Sequence, residues 1–134
     1  MMQSKYELAK NPHTPPDILI RLSQDVDPNV RYSVAGNPSI PPNVLAFMSK
    51  DGYWGVRWNV VKNPNTPTEI LAFIINNVEA DIDVRMAVVK HPSASSDTLI
   101  ILSQDSCIEV RWGVVRNPNT PYGIWILDVG RVLP

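Results

Sequence analysis

The chain has 134 residues, 44% of them hydrophobic and 19% charged, with a net charge of −1. That is enough apolar material for one packed domain, and the charge balance gives no general pull toward nucleic acid or an anionic membrane. Cys107 is the single cysteine, so no intrachain disulfide can form, and beside it only His13 and His91 are available to a zinc site or cysteine-held cluster. No metal or cofactor is expected, and a reducing, cytoplasmic setting fits.

Taken in chain order, Met1 to Lys10 hold no apolar stretch of signal-peptide length. A first helix is predicted to open at Thr14-Pro15. Threonine caps free N–H groups, and proline suits the first helical position because it has no N–H to waste. Ile18, Leu19 and Leu22 follow at helical spacing. A polar link, Gln24 to Asp27, leads to a second, short helix carrying Val30, Val34 and Ala35. The positions do not alternate, so a strand is rejected, although a short helix of this kind can be partly 3₁₀. Asn37-Pro38 ends it, because proline pushes the preceding residue out of the helical region. The pattern then repeats. Val44, Leu45 and Met48 are followed by Val56, Val60 and Val61. Thr66-Pro67, with Glu69 at capping-box spacing, opens Ile70, Leu71 and Ile74. The run Ile70 to Ile75 is the longest apolar stretch and is far short of a membrane span. Leu99 and Leu102 mark the next first helix, and Thr120-Pro121 opens the last.

Two markers set the period. Asn-Pro recurs at residues 11, 37, 63 and 117, with His91-Pro92 in the remaining place, at spacings of 26, 26, 28 and 26. Val-Arg recurs at residues 30, 56, 84 and 110, at spacings of 26, 28 and 26. The two share one period and one two-residue insertion, which falls between Asn77 and Asp83. A fixed period in this range predicts an all-α protein, an α-solenoid of two-helix repeats of about 26 residues. The units are 1–10 (partial), 11–36, 37–62, 63–90, 91–116 and 117–134 (partial), in a single repeat domain over 1–134. Neither end carries an obvious polar cap. Self-association through open ends, or a longer parent chain, is therefore expected.

One unit reads NPHTPPDILIRLSQDVDPNVRYSVAG. It resembles the leucine-rich repeat variant family, marked by an Asn-Pro-x-Thr-Pro start, a leucine pair and a D-x-x-V-R-x-x-V-A ending. The resemblance runs from residue 5 to about residue 128. It implies a right-handed superhelix of alternating helices, related in style to HEAT repeats, and no enzyme activity. Some family members resemble proteins with an iron–sulphur cluster in a separate cysteine-rich segment, and those cysteines are missing here. Ile40 replaces the capping threonine in one unit, and Ser93-Ala94-Ser95-Ser96 departs from the pattern in another.

An acidic residue stands six positions before each arginine: Asp25 and Arg31, Asp51 and Arg57, Glu79 and Arg85, Asp105 and Arg111. The arginine falls within the apolar arc of the second helix at about 100° per residue, so its guanidinium needs acceptors. The first reading is an inter-repeat ladder that sets register. The second is a basic stripe for phosphate or an acidic partner. The carboxylates favour the ladder.

After each arginine comes a large residue, Tyr32, Trp58, Met86 or Trp112, and then a smaller one, Ser33, Asn59, Ala87 or Gly113. The small flank is read as lying close to a neighbouring helix. The large flank is either packing between repeats or an aromatic strip for a protein partner. Asp51-Gly52-Tyr53-Trp54-Gly55 stands apart, because other units have polar residues there. Tyr53, Trp54, Trp58 and Trp112 are the candidate partner-binding residues. No phosphate-cradling glycine loop, nucleophile elbow or metal spacing is present. Both histidines read as turn residues. The expected function is a non-enzymatic scaffold or protein–protein interaction module, with no membrane association. The alternative is a DNA-binding HEAT-like protein in the style of alkylpurine DNA glycosylases, with Trp58, Trp112, Arg57 and Arg111 on a concave face. Net charge and length argue against it.

Overall fold

The computed structural model of the protein describes residues 3–77 and 80–124, Asn77 by its backbone alone. The described chain is all-helical. Its elements are α1 (Lys5–Lys10), α2 (Pro16–Leu22), α3 (Pro28–Ala35), α4 (Pro42–Met48), α5 (Trp54–Lys62), α6 (Thr68–Asn77), α7 (Ile82–Val89), α8 (Ser96–Leu102) and α9 (Ile108–Arg116). A further helical turn begins at residues 122–124, and the rest of the last partial unit lies outside the described residues. Among the described residues there is no strand, and no helix is long and apolar enough to cross a membrane. The second helices α3, α5, α7 and α9 are α-helical over 8 or 9 residues rather than 3₁₀, and α2, α4 and α8 are shorter at 7.

The chain divides into two compact units, residues 1–70 and 71–134. In the first, α1 packs on α3 and α3 on α5, so the second helices lie side by side; α2 touches α1 and α3, and α4 touches α5. The shared core comprises Leu19, Val30, Val34, Leu45, Met48, Val56 and Val60, all essentially without solvent contact. In the second, α7 packs on α9 and α8 touches both, burying Leu71, Val88, Leu99 and Val110. Each such side chain contributes roughly 1.5–3 kcal/mol relative to exposure. These are the positions whose 3.6-residue rhythm the sequence displays.

The turns repeat as closely as the helices. The N–H of Thr14 donates to the carbonyl of Asn11, and Ile40 to Asn37, Thr66 to Asn63, Ala94 to His91 and Thr120 to Asn117 in the same way. The threonines are not N-caps, contrary to the sequence expectation. Pro15 occupies the N-cap position of α2 without a side-chain cap bond, and Pro16 is the first helical residue. The hydroxyl of Thr14 instead donates back to the carbonyl of Leu8, at 2.6 Å. Thr66 donates likewise to Val60 and Thr120 to Val114. The reason is burial: Thr14 and Thr66 are nearly inaccessible, and the open carbonyls at the end of the preceding helix are the nearest acceptors. True caps occur elsewhere. Ser4 and Glu7 form a capping box on α1, and Asp27, Asp81 and Ser95 cap α3, α7 and α8.

Candidate binding surface

The charged positions anchor the turn that displays the aromatics. Each arginine of the Val-Arg marker reaches back to the chain before its helix: Nη1 donates to the carbonyl of Asp25 from Arg31 (2.7 Å), of Asp51 from Arg57 (2.6 Å), of Ala80 from Arg85 (2.7 Å) and of Asp105 from Arg111 (2.6 Å). Thus the residue six positions back accepts through its backbone, except at Arg85, where the insertion makes it five. The carboxylates pair differently from the sequence expectation. Asp51 binds Arg31, through Nε at 2.8 Å and Nη2 at 3.1 Å. Asp105 lies 2.8 Å from Nε of Arg85, an ion pair in which the N–H is not aligned on the oxygen. Asp25 binds Lys5 at 2.8 Å, and Lys5 occupies the arginine position of the partial first unit. In every case the carboxylate lies twenty residues after its cation, in the following unit. Glu79 lies outside the described residues. The lysine ammonium, through its hydrogen bond and charge, holds the Asp25 carboxyl below the usual aspartate value; the N–H of Asp27 adds to this.

Asp51 also accepts from the N–H of Tyr53 at 2.9 Å. The arginine–aspartate contact therefore fixes the entry to α5, where Tyr53 is the N-cap and Trp54 the first residue. Tyr53 is 46% exposed and Trp54 47%. Trp54 and Trp58, four residues apart on one helix face, stack with ring centroids 5.6 Å apart and planes 10° apart. Lys62, another turn on, places its ammonium 5.6 Å from the Trp58 ring centre, in cation–π contact. Tyr53 lies over Gly55, where a β-carbon would meet its ring at 3.0 Å and that of Tyr32 at 3.3 Å. The result is an aromatic surface ending in a cation, and Trp54 leaves it half open to solvent. Trp112 belongs to the second unit, half-buried on α9, with the Arg116 guanidinium 5.2 Å from its ring centre.

The small flank meets the preceding second helix. Asn59 donates to the carbonyl of Tyr32 on α3 at 2.8 Å, and a β-carbon on Gly113 would stand 2.4 Å from Val89 Cγ2 on α7. Sequence reasoning missed the role of the repeated asparagine. Asn37 donates its side-chain amide to the carbonyls of Ala9 (2.8 Å) and Asn11 (2.9 Å), Asn63 to those of Ala35 (2.8 Å) and Asn37 (3.2 Å), and Asn117 to that of Val89 (2.7 Å). Each amide oxygen accepts the N–H two residues on, which closes the turn. His91 does this with Nδ1, accepting from Ser93 at 2.9 Å. The signal was available: an asparagine repeated before proline has a side chain that must be satisfied once buried. Among the described residues no group of three or more His, Cys, Asp or Glu is placed to hold a metal ion. No protein-family model matches the chain, and neither a curated protein nor a solved structure does.

Proposed function

We propose that the protein is a non-enzymatic interaction module, an α-solenoid of the leucine-rich repeat variant kind that presents the Tyr53–Trp54–Trp58–Lys62 surface to a protein partner. The observation that carries this reading is the half-exposed Trp54, stacked on Trp58 at a turn whose repeat pattern does not call for a tryptophan. Tryptophan and tyrosine bring large contact area at small entropic cost, and here the turn is held in advance by Asp51. A protein partner fits better than DNA. Arg31 and Arg85 face carboxylates, and Arg57 and Arg111 spend donors on backbone carbonyls, so the arginines of the Val-Arg marker offer few donors to phosphate.

The test is made on the intact chain. Iodide should quench the Trp54 contribution to fluorescence, so that Trp54→Phe removes a quenchable component. Tyr53→Ser/Trp54→Ala should retain the helical circular dichroism spectrum and lose binding to any protein that the parent chain binds directly in purified form. Loss of only an unquenchable signal would mark Trp54 as ordinary repeat packing. Salt-sensitive binding to duplex DNA at low ionic strength would revive the nucleic-acid reading.

A further inference from the structure

The second unit carries a groove between two of its second helices. In the first unit Asn59 fills the space between α3 and α5, with its amide against Gly36 and bonded to Tyr32. At the same repeat position α9 has Gly113, and beside it a groove of about 480 Å³ opens between α7 and α9. Met86, Val89 and the Trp112 ring give it apolar walls. Lys90 and Arg116 stand at one end, at the C-termini of α7 and α9, where helix dipoles favour cations. Both are exposed, and neither meets a carboxylate within 4.0 Å among the described residues. Glu109 lines the other end, seven residues before Arg116 and hence about 10 Å away along the helix. The Cys107 thiol donates to it at 2.8 Å, and that hydrogen bond keeps its carboxyl below the usual glutamate value. The groove is thus apolar along its length, cationic at one end and anionic at the other.

From this charge pattern we propose that the α7–α9 groove binds a peptide segment in which an apolar side chain is followed by acidic residues. The apolar side chain lies along the groove against Met86 and the Trp112 ring. The carboxylates meet Lys90 and Arg116. Guanidinium suits a carboxylate because its fork can donate two parallel hydrogen bonds. Glu109 repels an acid at the opposite end and so sets the direction of the chain. The same carboxylate disfavours a nucleic-acid strand, and Arg116 already covers a face of Trp112 on which a base would stack. This site rests on its own residues, and the Tyr53–Trp54 reading stands or falls apart from it.

The experiment is a fluorescence anisotropy titration of the full chain with a dye-labelled, terminally blocked peptide, Ser-Gly-Ser-Leu-Asp-Asp-Ser-Gly-Ser. Saturable binding is expected. It should weaken at least tenfold when both aspartates of the peptide become lysine, and about fivefold when its leucine becomes serine. Lys90→Glu/Arg116→Glu, which alters exposed side chains only, should keep the parent circular dichroism spectrum and lose at least tenfold in affinity. Tyr53→Ser/Trp54→Ala should bind the peptide as the parent does. The proposal is overturned by no binding of the aspartate peptide, by equal binding of the lysine peptide, by unchanged affinity in the charge-reversed variant, or by tighter binding of a single-stranded oligonucleotide.

Discussion

Arg31 grips Asp51 with two hydrogen bonds across twenty residues of chain, and Asp51 passes the constraint to the N–H of Tyr53. One carboxylate, 9% exposed in its side chain, thereby joins a second helix to the turn of the next unit. This contact should be energetically coupled. A double-mutant cycle of Arg31→Met and Asp51→Asn, followed by urea unfolding, is expected to give an interaction of about 1–2 kcal/mol. Additive effects would mean that the two side chains meet without holding each other.

The buried asparagine amides make a sharper claim. Asn63 is 2% exposed and donates to the carbonyls of Ala35 and Asn37, about one repeat period earlier, while accepting from Asn65. Asn63→Ala leaves those buried groups without this partner and should cost about 2–3 kcal/mol. Asn63→Asp keeps an acceptor for Asn65 and replaces the donor with a charge facing carbonyls. It should be the more damaging of the two at neutral pH. Chemical denaturation of both variants checks the order.

The first unit should show two pH limits. Hydrogen bonds from Lys5 and Tyr6 hold the Asp25 and Asp27 carboxyls below their ordinary value of 3.8. Their contribution is complete above that value and is lost as pH falls through the lowered ones. The Tyr6 hydroxyl donates to Asp27, and that bond, with burial and the aspartate charge, raises it above its ordinary value of 10.0. Its contribution is present below pH 10.0 and is lost as pH rises through the raised value. Urea midpoints measured across pH should fall at both ends. Asp27→Asn should shrink the acid limb, and Tyr6→Phe the alkaline one.

Close approach of α7 and α9 predicts a rescue. A β-carbon on Gly113 would lie 2.4 Å from Val89 Cγ2, so Gly113→Ala should lose about 1–2 kcal/mol by overpacking. Val89→Ala supplies the space, as Ala35 does at the same position in α3. The double variant should therefore be more stable than the two single losses added together predict. Thermal melts of the four proteins give the comparison.

Much of this protein was decided by the sequence alone. The shared period of Asn-Pro and Val-Arg marks the units, and the apolar positions at helical spacing, such as Val30, Val34 and Ala35, are the ones the helices bury. Local rules suffice there, because a helix presents the same face wherever its period repeats. The pairing of charges was not legible for a geometric reason. Where the period is 26, an acid six residues before one arginine is also twenty residues after the preceding cation, so the spacing offers two partners. Sequence cannot choose between them; side-by-side packing of second helices does, since it brings Asp51 to Arg31 while the carbonyl of Asp25 fills the nearer place. Thr14 and Thr66 were misread as caps for a related reason. Local spacing shows a hydroxyl near a helix start, but burial against the preceding helix end decides which carbonyl it meets. The groove beside Gly113 likewise belongs to tertiary structure. A glycine in a column of small residues marks a close helix contact only when Val89 stands across from it, and the lining of the groove comes from both helices.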